Sequence, residues 1–526
     1  MQSRRDQVQA HLFVMSRLAS GMLRAEPDAP DTPTGRTTRG TVTGLAVAVL
    51  IGLGVTVYGV ISPGGSDGWA KPGTLVVVEE TGARYLSMGG QLHPVLNDTS
   101  ARLVAGDRMT VRQVSRASIA DAPRGAPVGI VGAPDGLPPV TELGGATWLV
   151  CGTVQPGPTG APVPRLGLLM DPATEGRALT AAQGVLVTLP DGSVHLLWQG
   201  QRLRVDTADQ ALQALGYGGA TPFPVPAGVL NALPAGPDLA APAVPGRGEA
   251  GPALGGKPTR IGQLFEAPGG AHYLLTKDGL VPLSPTLYAL LLGDPRTQQE
   301  AYGGAAPAAA PIGAMDLAGH KAPGGPPGAG LPESPPVLVP LLRGEGVCAD
   351  LRTGTGTGTG APVTSVTVLP NDRAEAGRPP VAPAGAPQAV CAVADRIAVR
   401  PGGGALVRTL SGAGAGSTEY LVTEAGVRYP LPSAAAAKQL GYGGTTPVAV
   451  PAPVLGLLPS GPLLDPAAVS AADAGPTAGT ATAVPGVPAV GAVVPGVPAA
   501  GTAVPGVPAA AVAAAVEPAT GSSACG

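Results

Sequence analysis

Large rings and ionic groups are both scarce in this chain: aromatics make up 3% of its 526 residues and charged side chains 13%. Much of the 44% hydrophobic share is Ala and Val, while 81 Gly and 62 Pro exceed a quarter of the chain. That composition argues against a protein that packs along its whole length, although 526 residues can hold several domains. Excess charge of either sign is also missing. The balance of 32 basic and 35 acidic residues gives −3, which offers no long-range pull on nucleic acid or anionic lipid. Histidines number five and are scattered, and the four cysteines lack metal-ligand spacing, so no metal centre or other cofactor is expected. Ser, His and Asp are nowhere grouped as in a hydrolase, so no catalytic residue is expected.

Long apolar runs are missing too, with one exception. Gly40 to Ile61 carries no charge and is long enough to cross a hydrocarbon core. Arg4, Arg5, Arg17, Arg24, Arg36 and Arg39 precede it, and Lys71 is the first basic residue after it. Basic residues stay on the cytoplasmic side, so the N-terminus is expected inside and the bulk outside the cytoplasm. The run starts too late and is too long for a cleaved signal. Ser62 to Gly65, reading SPGG, is expected to stop the helix.

Before this run, Val8, Leu12, Met15, Ala19 and Met22 recur at spacings of three and four, the pattern of an amphipathic helix. Ser3 and Asp6 form a capping-box pair and Pro27 marks the far boundary. A helix this short is marginal alone, so its stripe is expected to dock on a partner rather than lie on lipid.

After the membrane the chain repeats itself. LGYGGATPFPVPAGVLNALPAGPDL at Leu215 and LGYGGTTPVAVPAPVLGLLPSGPLL at Leu440 share 17 of 25 positions at a constant offset of 225. Upstream of each lies a strand, a turn and a strand, then a capped helix. VLVTLP and SVHLLW flank Asp191-Gly192, and Thr207 with Gln210 is expected to cap TADQALQALG. In the last copy Ala425-Gly426 makes the turn and Ser433 opens SAAAAKQLG. Fainter copies place turns at Asp278-Gly279 and Thr81-Gly82, with helices opened by Ser284 and by Asn97 or Asp98. Units this small bury little apolar surface alone, so they are expected to share a core. RMTVRQVSRASI, TWLVCGTV, PVLVPLLRGEGVCADL and DRIAVRPGG read as its strands. VPGVP recurs at Val484, Val494 and Val504, and no packed element is expected from Ala467 onwards.

All four cysteines follow the apolar run, where oxidising conditions permit disulfides. Cys151 and Cys348 fall in the two halves of the expected core, so a bridge between them would tie distant segments together. Four cysteines allow three pairings, and the residues leave the choice open. Gly251 to Lys257 begins like a phosphate-binding loop, but Pro258 stands where the metal-binding hydroxyl belongs and opposes the helix that must follow. GTGTGTG at Gly354 to Gly360 reads as a low-complexity loop, and His93, His195 and His272 as surface or packed histidines beside the hairpins.

RRDQVQAHLFVMSRL, the single anchor, TGARYLSMGGQLHPVLNDTSARLV, SRASIADAPRGAPVGIVGAPDGLP and TWLVC together resemble the EccB family. These are membrane components of actinobacterial type VII (ESX-type) secretion machinery, and the resemblance spans about residues 1–465. It implies four repeats, similar to phage-lysin wall-binding modules, around a central β-domain. It also implies a disulfide between Cys151 and Cys348, from which Cys391 and Cys525 depart. The partners it implies are EccC, EccD and EccE, in a complex with several copies of this chain. The ATPase label sometimes given to the family finds only the defective Lys257 loop here.

The expected fold class is therefore α+β, mostly β: a single N-terminal transmembrane helix, four small repeat units around a central β-domain, and a disordered C-terminal tail. The expected boundaries are a cytoplasmic helix and linker at 1–39, a transmembrane helix at 40–61, repeats at 72–112, 183–240, 260–296 and 404–466, central β-domain halves at 113–180 and 335–400, and a tail at 467–526. The expected function is that of a structural subunit whose exported body scaffolds a secretion translocon and meets the cell wall. The alternatives are a free-standing wall-binding protein and, less so, an ATPase. Val8, Leu12, Met15 and Met22 are the candidate docking residues.

Overall fold

The computed structural model describes residues 3–24, 33–61, 67–173, 176–325, 328–354, 362–384, 393–411 and 414–471. Ser62 to Gly65, most of the GTGTGTG stretch, Cys391, Cys525 and the VPGVP repeats lie outside the described residues. The chain divides into two compact units, one of Met1–Pro94 with Thr110–Gly125 and one of Val95–Met109 with Ala126–Gly526.

The first unit opens with α1 (Arg4–Arg24). Ser3 and Asp6 cap each other as the sequence suggests: the Ser3 amide donates to the Asp6 carboxylate at 3.1 Å and the Asp6 amide to Ser3 Oγ at 3.4 Å. The next helix, α2 (Pro33–Ile61), begins seven residues before the apolar run, because proline loses nothing in a first turn whose amides have no helical partner. Its Thr37–Tyr58 stretch is long and apolar enough to cross a membrane and is unburied. Within it, the Thr41 and Thr56 hydroxyls donate one turn back, to Thr37 O and Gly52 O.

A four-stranded sheet follows, built from β1 (Thr74–Val78), β2 (Arg84–Met88), β3 (Gln91–Pro94) and β4 (Thr110–Val114), in the order β3-β2-β1-β4. The first three strands run antiparallel, and β4 lies parallel to β1. Val76, Val78, Leu92, Val114 and Ile119 form its core. RMTVRQVSRASI, expected in the shared core, supplies β4 instead. Thr110 to Gln113 are exposed, and the run lacks the alternating apolar face that a buried strand needs.

The second unit starts at α3 (Asp98–Ala105), capped by Asn97 Oδ1 on the Ser100 amide. Next come β5 (Thr147–Pro156), β6 (Pro162–Met170) and the short β7 (Arg177–Ala178). A second small sheet holds β8 (Gln183–Thr188), β9 (Val194–Trp198), β10 (Gln201–Arg204) and, beyond the one-turn helix α4 (Ala211–Ala214), β11 (Phe223–Pro224). Helix α5 (Ala227–Asn231) ends that segment. A third holds β12 (Leu264–Glu266), β13 (His272–Thr276), β14 (Gly279–Leu283), then α6 (Pro285–Gly293), β15 (Ala310–Pro311) and α7 (Ala314–His320). Strand β16 (Val337–Leu338) adds to β8.

The chain then returns through β17 (Glu345–Arg352), β18 (Val363–Pro370), α8 (Asn371–Ala374) and β19 (Arg396–Val399). The last sheet uses β20 (Ala405–Ser411), β21 (Gly414–Val422), β22 (Arg428–Leu431), α9 (Ala434–Ala437), β23 (Val448–Pro451) and α10 (Ala452–Gly456). Each small sheet repeats one connectivity, three antiparallel strands with a fourth parallel to the first. The sequence signalled two strands per copy. In the first two copies the third and fourth strands escaped it, and in the last two the first strands β12 and β20 with the fourth; the fourth strands β11 and β15 are only two residues long and carry a proline each.

The second unit also holds a six-stranded sheet of order β19-β6-β5-β17-β18-β7. One face packs Val150, Leu168 and Ala349 against Val187, Val225 and Val229 of the second small sheet's segment and Val407, Val450 and Val454 of the fourth's. Helix α4 packs on α6, and Gly293 makes room for that approach, since a Cβ there would come within 2.5 Å of Ala214 Cβ. Helix α3 packs on the Lys438–Tyr442 turn and on α11 (Pro466–Ala471).

Two expectations are corrected here. Order does not stop at Ala467, because Asp465 accepts the Ala467 amide at 2.9 Å, starts α11, and leaves Val469 fully buried. Thr207 and Gln210 form no capping box. The Asp206 carboxylate takes the Ala208 and Asp209 amides, Gln210 turns left-handed at φ 58°, and the helix begins only at Ala211.

Candidate functional site

Helix α1 carries the residues expected to dock on a partner. Val8, Leu12, Met15 and Met22 are between half and almost fully exposed. At 100° per residue, Val14 and Leu18, also exposed, extend the same stripe sideways. The sequence reading missed both because it followed only the strict three-four spacing. Phe13 lies on the far side, under the Arg17 guanidinium at 5.8 Å. Apolar side chains left in water on one helix face are the chemistry of a groove-binding helix.

The central sheet holds the cystine. Cys151 on β5 stands directly opposite Cys348 on β17, and their sulfurs are bonded across 197 residues of sequence. Leu149, Leu169, Leu369 and Ala374 surround the bridge on the face turned away from the small sheets. On the same strand face, Asp350 is buried, with Arg352 3.4 Å from its carboxylate.

Three tyrosines of a recurring YGG triplet, Tyr217, Tyr302 and Tyr442, were overlooked as a set, although the thrice-repeated triplet was visible. The Tyr217 hydroxyl donates to Pro336 O at 2.7 Å and that of Tyr442 to Pro138 O at 2.9 Å, so each clamps a proline-rich connection. Tyr302 works locally, donating to Ala308 O and accepting the Leu264 amide. Burial raises all three phenols, that of Tyr217 to about 12, so they stay protonated donors.

Between α6 and the preceding loop, Arg247 and Asp294 form an ion pair at 2.5 Å with both side chains buried. Burial pushes the Asp294 carboxyl up. Hydrogen bonds from the Arg296 amide and Thr297, with the charge of Arg247, outweigh this and hold it below its usual value. Arg296 adds a bridge to Asp209 at 2.8 Å, tying the second small sheet's segment to the third's.

The Gly251 to Lys257 loop is a tight hairpin. Leu254 and Lys257 exchange both main-chain hydrogen bonds at 3.0 and 3.1 Å, with Gly255 and Gly256 left-handed between them. The Leu254, Lys257 and Gly251 amides thus donate to carbonyls of the hairpin itself, and Thr259 and Arg260 continue in extended pairing rather than a helix. His272 stacks on Tyr288 at 3.6 Å, and burial, then Arg202 and Arg204, depress the His195 pKa. Among the described residues no group of His, Cys, Asp and Glu is placed to hold a metal ion. A polar depression of about 250 Å³ is lined by Ser193, Arg204, Asp206 and Asp238, and an apolar one of about 300 Å³ by Leu169, Leu369, Ala376 and Ala398.

The family described as type VII secretion system ESX-1, transport TM domain B, matches residues 1–477. The ESX-3 secretion system ATPase EccB3 of Mycolicibacterium smegmatis is 32% identical over 476 residues, covering 88% of this chain and 89% of that protein. The ESX-1 secretion system ATPase EccB1 of Mycobacterium tuberculosis is 29% identical over 471 residues, covering 87% and 92%. A chain of the intact ESX-5 inner membrane complex superposes with a TM-score of 0.61 at 25% identity, covering 89% of this chain and 95% of its own. The EccB3 dimer from the ESX-3 core complex gives 0.60 at 30% identity, covering 75% and 99%. The match runs from the helix ahead of the apolar span through the cystine-bearing sheet to the last small sheet, and on that evidence the chain belongs to the EccB family of type VII secretion systems.

Proposed function

We propose that this protein is a structural subunit of a type VII secretion inner-membrane complex, anchored by α2 with its N-terminus in the cytoplasm. The observation that carries the reading is the family match along the whole described body together with the one unburied, membrane-length apolar helix among the described residues, Thr37–Tyr58. Orientation rests on the arginines from Arg4 to Arg39 lying before the uncharged run 40–61, against Lys71 alone just after it. The four small sheets act as copies of one unit and, with the central sheet, belong to a part of the chain outside the cytoplasm that scaffolds the assembly and meets the cell wall. Chains similar to this one occur in an inner membrane complex and as a dimer, which supports several copies per assembly.

EccC, EccD and EccE are the partners the resemblance implies, and the α1 stripe is the surface we assign to one of them. Extraction in mild detergent followed by identification of co-eluting chains tests this. EccC-like and EccD-like proteins are expected; their absence would favour a free-standing wall-bound protein. The relatives' names carry the word ATPase. In this chain the Leu254 and Lys257 amides are taken by hairpin hydrogen bonds and no helix follows, so purified protein is expected to show no hydrolysis that Lys257→Ala abolishes.

A further inference from the structure

Three of the four small sheets end on a fourth strand that contains a proline: Pro224, Pro311 and Pro451. Proline removes a donor from an edge and discourages further pairing. The first sheet ends differently. Its edge strand β4, Thr110–Val114, has no proline, is the longest of the four, and leaves Thr110, Val111, Arg112 and Gln113 exposed. The Thr110 amide donates to Gly73 O and the Val114 carbonyl accepts from Glu79, so alternate residues of β4 face β1. The main-chain groups of Val111 and Gln113 therefore face the open edge. Among the described residues no strand or bridge pairs there.

We infer that this edge pairs with the same edge of a second copy, antiparallel and centred on Val111. This deepens the proposed function and rests on its reading of a membrane-anchored, multi-copy subunit. A second copy is the occupant because only residues 62–66 separate α2 from Asp67, a reach of at most roughly 20 Å. Every copy thus holds this strand at one height above the bilayer, where another copy's strand is the partner always at hand. The strand is also self-complementary in that register. Val111, 56% exposed, meets itself as a mutually hydrogen-bonded pair, and Thr110 faces Arg112. A register centred on Arg112 would set like charges opposite each other and is disfavoured. Copies inserted in the same sense are related by an axis along the membrane normal, and symmetric antiparallel pairing needs that axis perpendicular to the sheet. The first sheet then lies flat over the headgroups.

The test uses the full chain in membranes with Cys391 and Cys525 changed to Ser. Residues directly opposed in such a pair stand about 5.5 Å apart at Cα, within reach of a disulfide. Val111→Cys is expected to give a covalent dimer on mild oxidation, while the exposed control Val131→Cys gives none. Adding Gln113→Pro, which removes an outward donor but no bond to β1, is expected to abolish that dimer with the Cys151–Cys348 bridge intact. Native mass of the same sample in detergent separates the failures. An oligomer without the Val111 cross-link overturns this interface and leaves the subunit reading standing, as does a Val111 cross-link to a different protein. A monomer overturns both.

Discussion

The carboxylate of Asp294 is withdrawn from water beside Arg247, where a lone charge would be costly. Asp294→Ala leaves the guanidinium buried without its partner and is expected to cost about 3–5 kcal/mol, read from denaturant unfolding. The pH dependence has a definite sign. The folded pKa lies below the unfolded one, so the contribution is complete above about pH 4 and fades as pH falls through the folded value. Melts from roughly pH 5 downward should show that acid limb, and Asp294→Asn should flatten it. Tyr442→Phe strands the Pro138 carbonyl in a buried setting and should cost about 1–3 kcal/mol; an unchanged melting point would show that water replaces the phenol. Cys348→Ser opens a loop of nearly two hundred residues and should remove about 2–4 kcal/mol relative to oxidised wild type, a difference that closes when both are unfolded in reductant.

Elements differ in how openly the sequence announces them. Ser284 and Ser433 cap their helices because a hydroxyl and an amide three residues on need no distant help. At Thr207 a similar local signal failed, since Asp206, one residue earlier, gathers the Ala208 and Asp209 amides into a turn and the helix begins only at Ala211. The strands of the central sheet looked alike from sequence, but their order did not emerge. β5 takes β17 as neighbour from almost two hundred residues away, and no local pattern encodes that choice. The docking stripe was half visible for another reason: Leu18 and Val14 lie one step off the spacing that marks a narrow seam. Leu12→Asp with Met15→Asp is expected to release the protein from its complex while the second unit stays folded. Retention of both variants at wild-type levels in co-purification would end the docking role.

For the molecule as a whole, the ladder between β5 and β17 makes the second and third small sheets an insertion within the central one. Proteolysis of the loops joining them should therefore leave the two halves of the central sheet held by the Cys151–Cys348 bond until reductant is added. A reporter placed after Ala471 should be inactive in the cytoplasm if α2 spans once with its basic end inside; cytoplasmic activity would reverse every statement about sidedness. The same arrangement imposes a waiting time on biogenesis. A polypeptide emerging from its N-terminus exposes one thiol 197 positions before the other. At synthesis rates of about 5–20 residues per second, that interval lasts on the order of ten seconds or longer. We expect the early sulfhydryl to need shielding by an oxidoreductase throughout it, so cells lacking such an enzyme should accumulate mispaired chains.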